Sequence, residues 1–305
     1  MTVRLRPARL GWLQEALGVA ALVCNGCISS PTPLAPGLTG SVGVPHHGIM
    51  TLAEELPQNG PGFRRFREYG EYNWGHPRLI KALLSASAEV AESRPGGAPL
   101  IIGDLSAHYG GRIPRHNSHR TGRDVDLLWF VTTPQGAPVP NPGFVRIGGD
   151  GLGRLEPDGE YVRLDIARQW LLVRALLQDE QAQVQLLFCS NEIEALLIEY
   201  ARARGEPDSL VWKAESVLMQ PGDSLPHDDH MHLRIACTPE EAVAGCEGGG
   251  PYWQWLRPMP SLDINDPNWL RELVLDAPAT NGPAADAPAT DAHAPSQDLL
   301  KSSAL

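Results

Sequence analysis

Two segments, HNSHRTGRDVD at 116–126 and HDDHMH at 227–232, limit the possible folds more than anything else in the chain. Each ends in an alternating polar pair, Asp124 with Asp126 and His230 with His232. Side chains two apart on a strand point the same way, so each pair shares a strand face. If the two strands are neighbours, Asp126 and His232 converge, and His119 can reach them from the loop that leads into the first strand. A His–Asp–His set with one open position is what a hydrolytic zinc takes, and water on such an ion has its pKa lowered to roughly 7. A lone HxH recurs by accident in any long chain. Here five of the ten histidines fall in two short segments, and core packing does not account for that, because histidine is only moderately buried on average. His116 is open between a pocket wall, a further metal contact and a solvated loop position.

The rest of the pattern is a mixture of helices and strands. Pro77 opens a helix running to Ser93 with Leu79, Ile80, Leu83, Leu84, Val90 and Ala91 on one side, closed by Arg94-Pro-Gly-Gly97. Strands are expected over 99–104, 124–130, 183–189 and 230–236, and further helices over 164–178 and from Ser190 to about Arg204-Gly205. Residues 133–153 read as a Pro/Gly-rich loop. Long irregular loops and few strands point away from a regular βαβ series, toward an α+β fold whose central sheet is mostly antiparallel, with flanking helices.

The ends suggest one elaborated domain with extensions. Residues 1–27 carry Arg4, Arg6 and Arg9, then an apolar run at 16–23, then Cys24-Asn-Gly-Cys27. That is an export-signal layout, with Cys27 as a candidate for lipid attachment. Residues 28–43 read as a Ser/Pro/Gly tether, 44–257 as the catalytic domain, 258–275 as an extension, and the Ala/Pro/Asp-rich stretch 276–305 as a disordered tail. In an oxidising compartment Cys237 and Cys246 can close a short loop, a bridge contributing ~2–3 kcal/mol, which leaves Cys189 as a buried spare. The net charge of −11 argues against nucleic acid. Arg112, Arg115, Arg120 and Arg123 nevertheless surround the first histidine segment. They are either ordinary solvated loop residues or, at Arg112 and Arg115, forks for substrate carboxylates.

The motifs Trp74-Gly-His-Pro77, Ile102-Gly-Asp104, Gly110-Gly-Arg112, HNSHRTGRDVD and HDDHMHLRI make the chain resemble the penicillin-insensitive murein endopeptidases. These belong to a wider zinc group with lysostaphin-type peptidases, D-Ala-D-Ala carboxypeptidases and hedgehog domains. The resemblance covers about 40–257. It implies a hedgehog/D-Ala-D-Ala-peptidase-like fold, a periplasmic location with membrane contact only through an N-terminal lipid, and cleavage of D-alanyl–meso-diaminopimelyl cross-links in peptidoglycan without inhibition by β-lactams. It also implies Zn2+ held by His119, Asp126 and His232, with His230 as base and His227 nearby. Asp104 and Asp124 would orient the ligand histidines. A D-Ala-D-Ala carboxypeptidase on uncross-linked stems and a non-catalytic zinc-containing cell-wall module are the alternatives. Monomer and homodimer both stay open.

Overall fold

A seven-stranded sheet carries both alternating segments. In chain order its strands are β1 (Asn59–Gly60), β2 (Phe63–Arg65), β3 (Leu100–Ile102), β4 (Asp124–Leu127), β5 (Val184–Phe188), β6 (Leu218–Met219) and β7 (Met231–Ile235). They lie side by side as β6-β5-β7-β4-β3-β2-β1. The pairs β5/β6 and β2/β3 are parallel and the remaining four are antiparallel. The α+β class and the mostly antiparallel sheet expected from sequence are therefore present. This computed structural model describes residues 40–259, apart from 223 and 249. The export signal, Cys27 and the tail 276–305 lie outside the described residues.

The register of β4 and β7 is the key to the molecule. His232 stands opposite Asp126, Leu233 opposite Val125, and Arg234 opposite Asp124. Alternation therefore sends Val125, Leu127, Met231, Leu233 and Ile235 into the hydrophobic core, while Asp124, Asp126, His232 and Arg234 occupy the other face. Both faces are buried: every residue of β4 and β7 is at most 8% exposed.

The core side is closed by helices α1 (Pro77–Ser93), α2 (Ile166–Gln178), α3 (Asn191–Ala203) and α4 (Asp208–Val217). Each start has a chemical reason. Pro77 fills the first turn of α1, where no backbone N–H is needed, and His76 accepts from the Arg78 amide. Asp165 and Ser190 cap α2 and α3 through the amides of Arg168 and Ile193. A short helix α5 (Pro239–Val243) follows β7 behind a Thr238/Glu241 capping box. Glu241 also binds Arg78, whose guanidinium donates to the carbonyls of Ala182 and Ala236. That network ties the start of α1 to the end of β7. The Cys237–Cys246 disulfide, with Cα atoms 5.9 Å apart, holds the same turn, and Cys189 is free and buried.

Several boundaries differ from expectation. The stretch read as a tether ends in structure: Ser41–Val44 pairs with His47–Met50 as a hairpin, and the Gly43 carbonyl accepts from buried Arg123. Arg123 is thus a structural residue, not an exposed member of an Arg cluster. The strand expected to reach Phe130 stops at Leu127. Val131–Thr132 belongs to a separate four-stranded sheet with Pro138–Val139, Leu152–Arg154 and Tyr161–Leu164, so part of the expected loop 133–153 is strand. Leu164 pairs there with Val131, which is why α2 begins only at Ile166. Among the described residues no helix is long and apolar enough to cross a membrane.

Candidate metal centre

Asp126 Oδ1 is the centre of the polar face. It lies 3.2 Å from His119 Nε2, 3.3 Å from His232 Nδ1 and 3.4 Å from His230 Nε2, and Asp126 Oδ2 lies 3.7 Å from His116 Nδ1. The far nitrogen of each of these four rings faces an acceptor. His119 Nδ1 is 2.8 Å from the Leu105 carbonyl, His232 Nε2 is 2.8 Å from Asp124 Oδ1, His230 Nδ1 is 2.5 Å from Asp229 Oδ1, and His116 Nε2 is 3.1 Å from Asp104 Oδ2. Carbonyl and carboxylate oxygens only accept, so each ring, when neutral, holds its one proton on the far nitrogen. In that neutral form the near nitrogen aims a lone pair at another acceptor, Asp126.

Such an arrangement is unfavourable by itself. His119 Nε2 and Asp126 Oδ1 are both buried without a hydrogen-bond partner, although buried polar groups are almost always paired. Lone pairs converging on a buried carboxylate are the surroundings a cation needs, and an outer carboxylate or carbonyl behind each histidine is the usual support for metal-bound imidazole. Two groups offer ligand atoms mutually within 4.8 Å, namely His116/His119/Asp126 and His227/His230/His232. The donor set fits a metal such as zinc, which takes imidazole and carboxylate together.

The backbone holds these rings firmly. His119 sits at φ +63°, in the left-handed region that non-glycine residues pay to occupy. Its carbonyl accepts from Ser106 Oγ at 2.5 Å, and its amide donates to Asp124 Oδ2. His227 is fixed through its carbonyl by the Ser190 amide, and Asp228 through its carbonyl by the Ile147 amide and the Trp129 indole. Asp124 also accepts from Arg234 Nε at 2.6 Å.

Electrostatics follow this geometry. Burial disfavours a charged Asp126, yet His119, His230 and His232 outweigh it and hold the carboxyl well below the usual range. At Asp124, burial is likewise overcome by Arg234 and His232. Burial opposes a proton on His230, but while Asp126 carries no cation, hydrogen bonding to Asp126 and Asp229 pushes its pKa up to about 10. A cation on Asp126 would remove the first of those two supports. His227 is lowered to about 4 by burial and by the neighbouring His230 and His232, and its Nδ1 is buried without a partner.

All five histidines of the two segments therefore meet in one place, together with Asp104, Asp124 and Asp126. Arg112 and Arg115 do not join them; both are exposed and pair with no described residue. Sequence reasoning missed Asp229, Arg67 and Phe144. Asp229 had a signal, being a carboxylate next to His230 within the same segment. Arg67, which donates from Nη1 to both Asp104 oxygens at 2.5 and 2.6 Å, and Phe144, whose ring stands edge-on to His230 at 5.4 Å, had none.

Comparison with known proteins gives an independent result. The family model described as penicillin-insensitive murein endopeptidase matches residues 41–141, which include the first histidine segment and stop short of the second. Proteins named penicillin-insensitive murein endopeptidase are similar over longer stretches. The one from Haemophilus influenzae is 25% identical over 276 residues, 82% of this chain and 87% of the relative. One from Klebsiella pneumoniae subsp. pneumoniae is 27% identical over 233 residues, covering 73% and 78%, and one from Pectobacterium atrosepticum is 28% identical over 119 residues, covering 37% and 42%. Over residues 41–141, and more distantly over most of its length, the chain is therefore similar to the penicillin-insensitive murein endopeptidases.

Proposed function

We propose that this protein is a zinc-dependent endopeptidase that cleaves D-alanyl–meso-diaminopimelyl cross-links in peptidoglycan. The observation that carries the reading is the convergence of imidazole nitrogens on buried Asp126, in a chain whose relatives are named murein endopeptidases. His119, Asp126 and His232 hold the ion in this reading, with His116 as an added contact. When bound, zinc supplies Lewis acidity that polarises a carbonyl and brings the pKa of water to roughly 7.

The chain's own residues do the rest. His230 Nε2 takes the proton released as water attacks and returns it to the leaving amine, a role that contributes ~100- to 10,000-fold. Asp229 keeps the proton on His230 Nδ1 and so keeps Nε2 available. His227 hydrogen-bonds the developing oxyanion, while Asp104 and Asp124 orient His116 and His232. Arg112 and Arg115 are candidate substrate contacts at the edge. β-Lactams act by acylating a serine, and this chemistry uses none. The N-terminal signal and a lipid on Cys27 would place the domain, which begins with the Ser41 hairpin, in the periplasm at a membrane surface.

Digestion of purified dimeric and monomeric muropeptides tests the reading. We expect dimers to be cut at the cross-link, loss of turnover with a chelator, recovery with Zn2+, and no effect of a β-lactam. Release of D-alanine from monomers with dimers left intact would replace this reading with a carboxypeptidase. Bound zinc without turnover on either would make the protein a binding module. Mass spectrometry of the mature N-terminus tests lipidation.

A further inference from the structure

A closed circuit of side-chain contacts starts and ends at Asp126, running out through His230 and back through His116. From His230 it passes to the Phe144 ring at 5.4 Å and on to the Phe66 ring at 5.5 Å. Arg67 lies over Phe66, with its guanidinium carbon 5.7 Å from the ring centre. Arg67 then bonds Asp104, Asp104 bonds His116, and His116 faces Asp126 again. Arg67 is the one permanent cation of this circuit. It is not used up by its ion pair: Nη1 makes both contacts to Asp104, and among the described residues Nη2 and Nε meet no acceptor. The side chain keeps 36% of its surface exposed.

We propose that Arg67 receives the free carboxylate that the cross-link carries on the carbon next to the scissile nitrogen. This rests on the murein reading above and assigns a substrate contact within it. In a D-alanyl–meso-diaminopimelyl bond the leaving amine belongs to an amino acid centre, so a carboxylate is attached beside the amide to be cut. Any substrate whose amide reaches His230 and Asp126 brings that charge to the same circuit. A guanidinium with an unspent donor edge is the group best shaped to bind it. Asp104 fixes where the guanidinium stands, and the Phe66 and Phe144 rings offer apolar surface to the methylenes of the diaminopimelyl chain. Arg112 and Arg115 lie outside this circuit.

The test compares two dimeric muropeptides that differ only in having this carboxylate free or amidated, with the full chain and its Arg67→Gln and Arg67→Lys variants. The unaltered protein should prefer the free acid by about tenfold or more in kcat/KM, as expected for a charge-assisted hydrogen bond. Arg67→Gln should lose that preference, with KM rising more for the acid than for the amidated substrate, and Arg67→Lys should regain part of it. Calorimetric binding of the amine-side product peptide, free or amidated, to the unaltered protein gives a second measurement that needs no variant to fold. Equal affinity for the two products overturns the inference. So does a preference that survives in Arg67→Gln while both substrates are cut more slowly, which would make Arg67 only a support for Asp104. If the unaltered protein cuts both dimers equally, the inference alone fails; if it cuts neither, the murein reading fails and takes the inference with it.

Discussion

The two faces of the β4–β7 pair are made by the same residues taken alternately, yet they follow opposite rules. On the core face Val125, Leu127, Met231, Leu233 and Ile235 are interchangeable in kind, because only volume and apolar area count there. On the other face Asp124, Asp126, His232 and Arg234 are as deeply buried, but each has a particular atom facing a particular atom. The lesson is that burial alone does not tell a core from a centre. What separates them is that the polar face leaves Asp126 Oδ1 and His119 Nε2 unpaired, an arrangement no purely structural role would favour.

That contrast can be broken by substitution. The largest effects should come from Asp126→Ala and His232→Ala, each expected to abolish both zinc retention and muropeptide cleavage while the circular dichroism stays folded. Full activity in either variant would remove the ligand assignment. His230→Ala should keep zinc and lose turnover by ~100- to 10,000-fold; loss of the metal instead would move His230 from base to ligand. Asp124→Asn should weaken metal affinity by ~10- to 100-fold, since Asp124 supports His232 from behind, as read by competition with a metal indicator. Across the strand, Leu233→Ala should behave in the opposite way. It should cost ~2–5 kcal/mol of stability in denaturant unfolding and leave zinc content unchanged wherever the protein is folded.

The smallest effect concerns pH. Burial and the neighbouring Arg78 and Arg123 outweigh Glu241 and lower His76 from 6.5 to about 4. A proton is then taken up more readily by the unfolded chain, so the stability from neutral His76 is present above 6.5 and is lost as pH falls from 6.5 towards 4. In melts over that range His76→Asn, which can still cap α1, should have a shallower pH dependence. An unchanged slope would assign the acid sensitivity elsewhere.

Much of this was legible in sequence where local chemistry and global position agree. α1 runs from Pro77 to Ser93 as its proline start and apolar stripe imply, and Ser190 caps α3. The strands holding the two segments are also where alternation puts them, because a sheet face buried for different reasons on its two sides still shows a period of two. Other features depended on partners the chain does not announce. The apolar run 124–130 hid the end of β4 at Leu127: the backbone changes partners there, with Leu128 bonding Ile101 and Phe130 bonding Gln169, and burial continues through the change. The helix α4 begins after Pro207 with no side-chain cap and gave no start signal. Arg67 stands 37 residues from Asp104, and nothing in its own neighbourhood marks it as part of the centre.

If a cation binds at Asp126 as proposed, the groups gathered there would also tie folding to metal supply. A group that binds only the folded chain stabilises it by about 2.7 kcal/mol when present at roughly a hundred times its dissociation constant, and by progressively less as it is withdrawn. Here the same ion would in addition relieve the repulsion among acceptors that the fold has forced together. The melting temperature would then act as a gauge of free cation in the buffer, and cells short of the metal would hold less folded protein as well as a less active one.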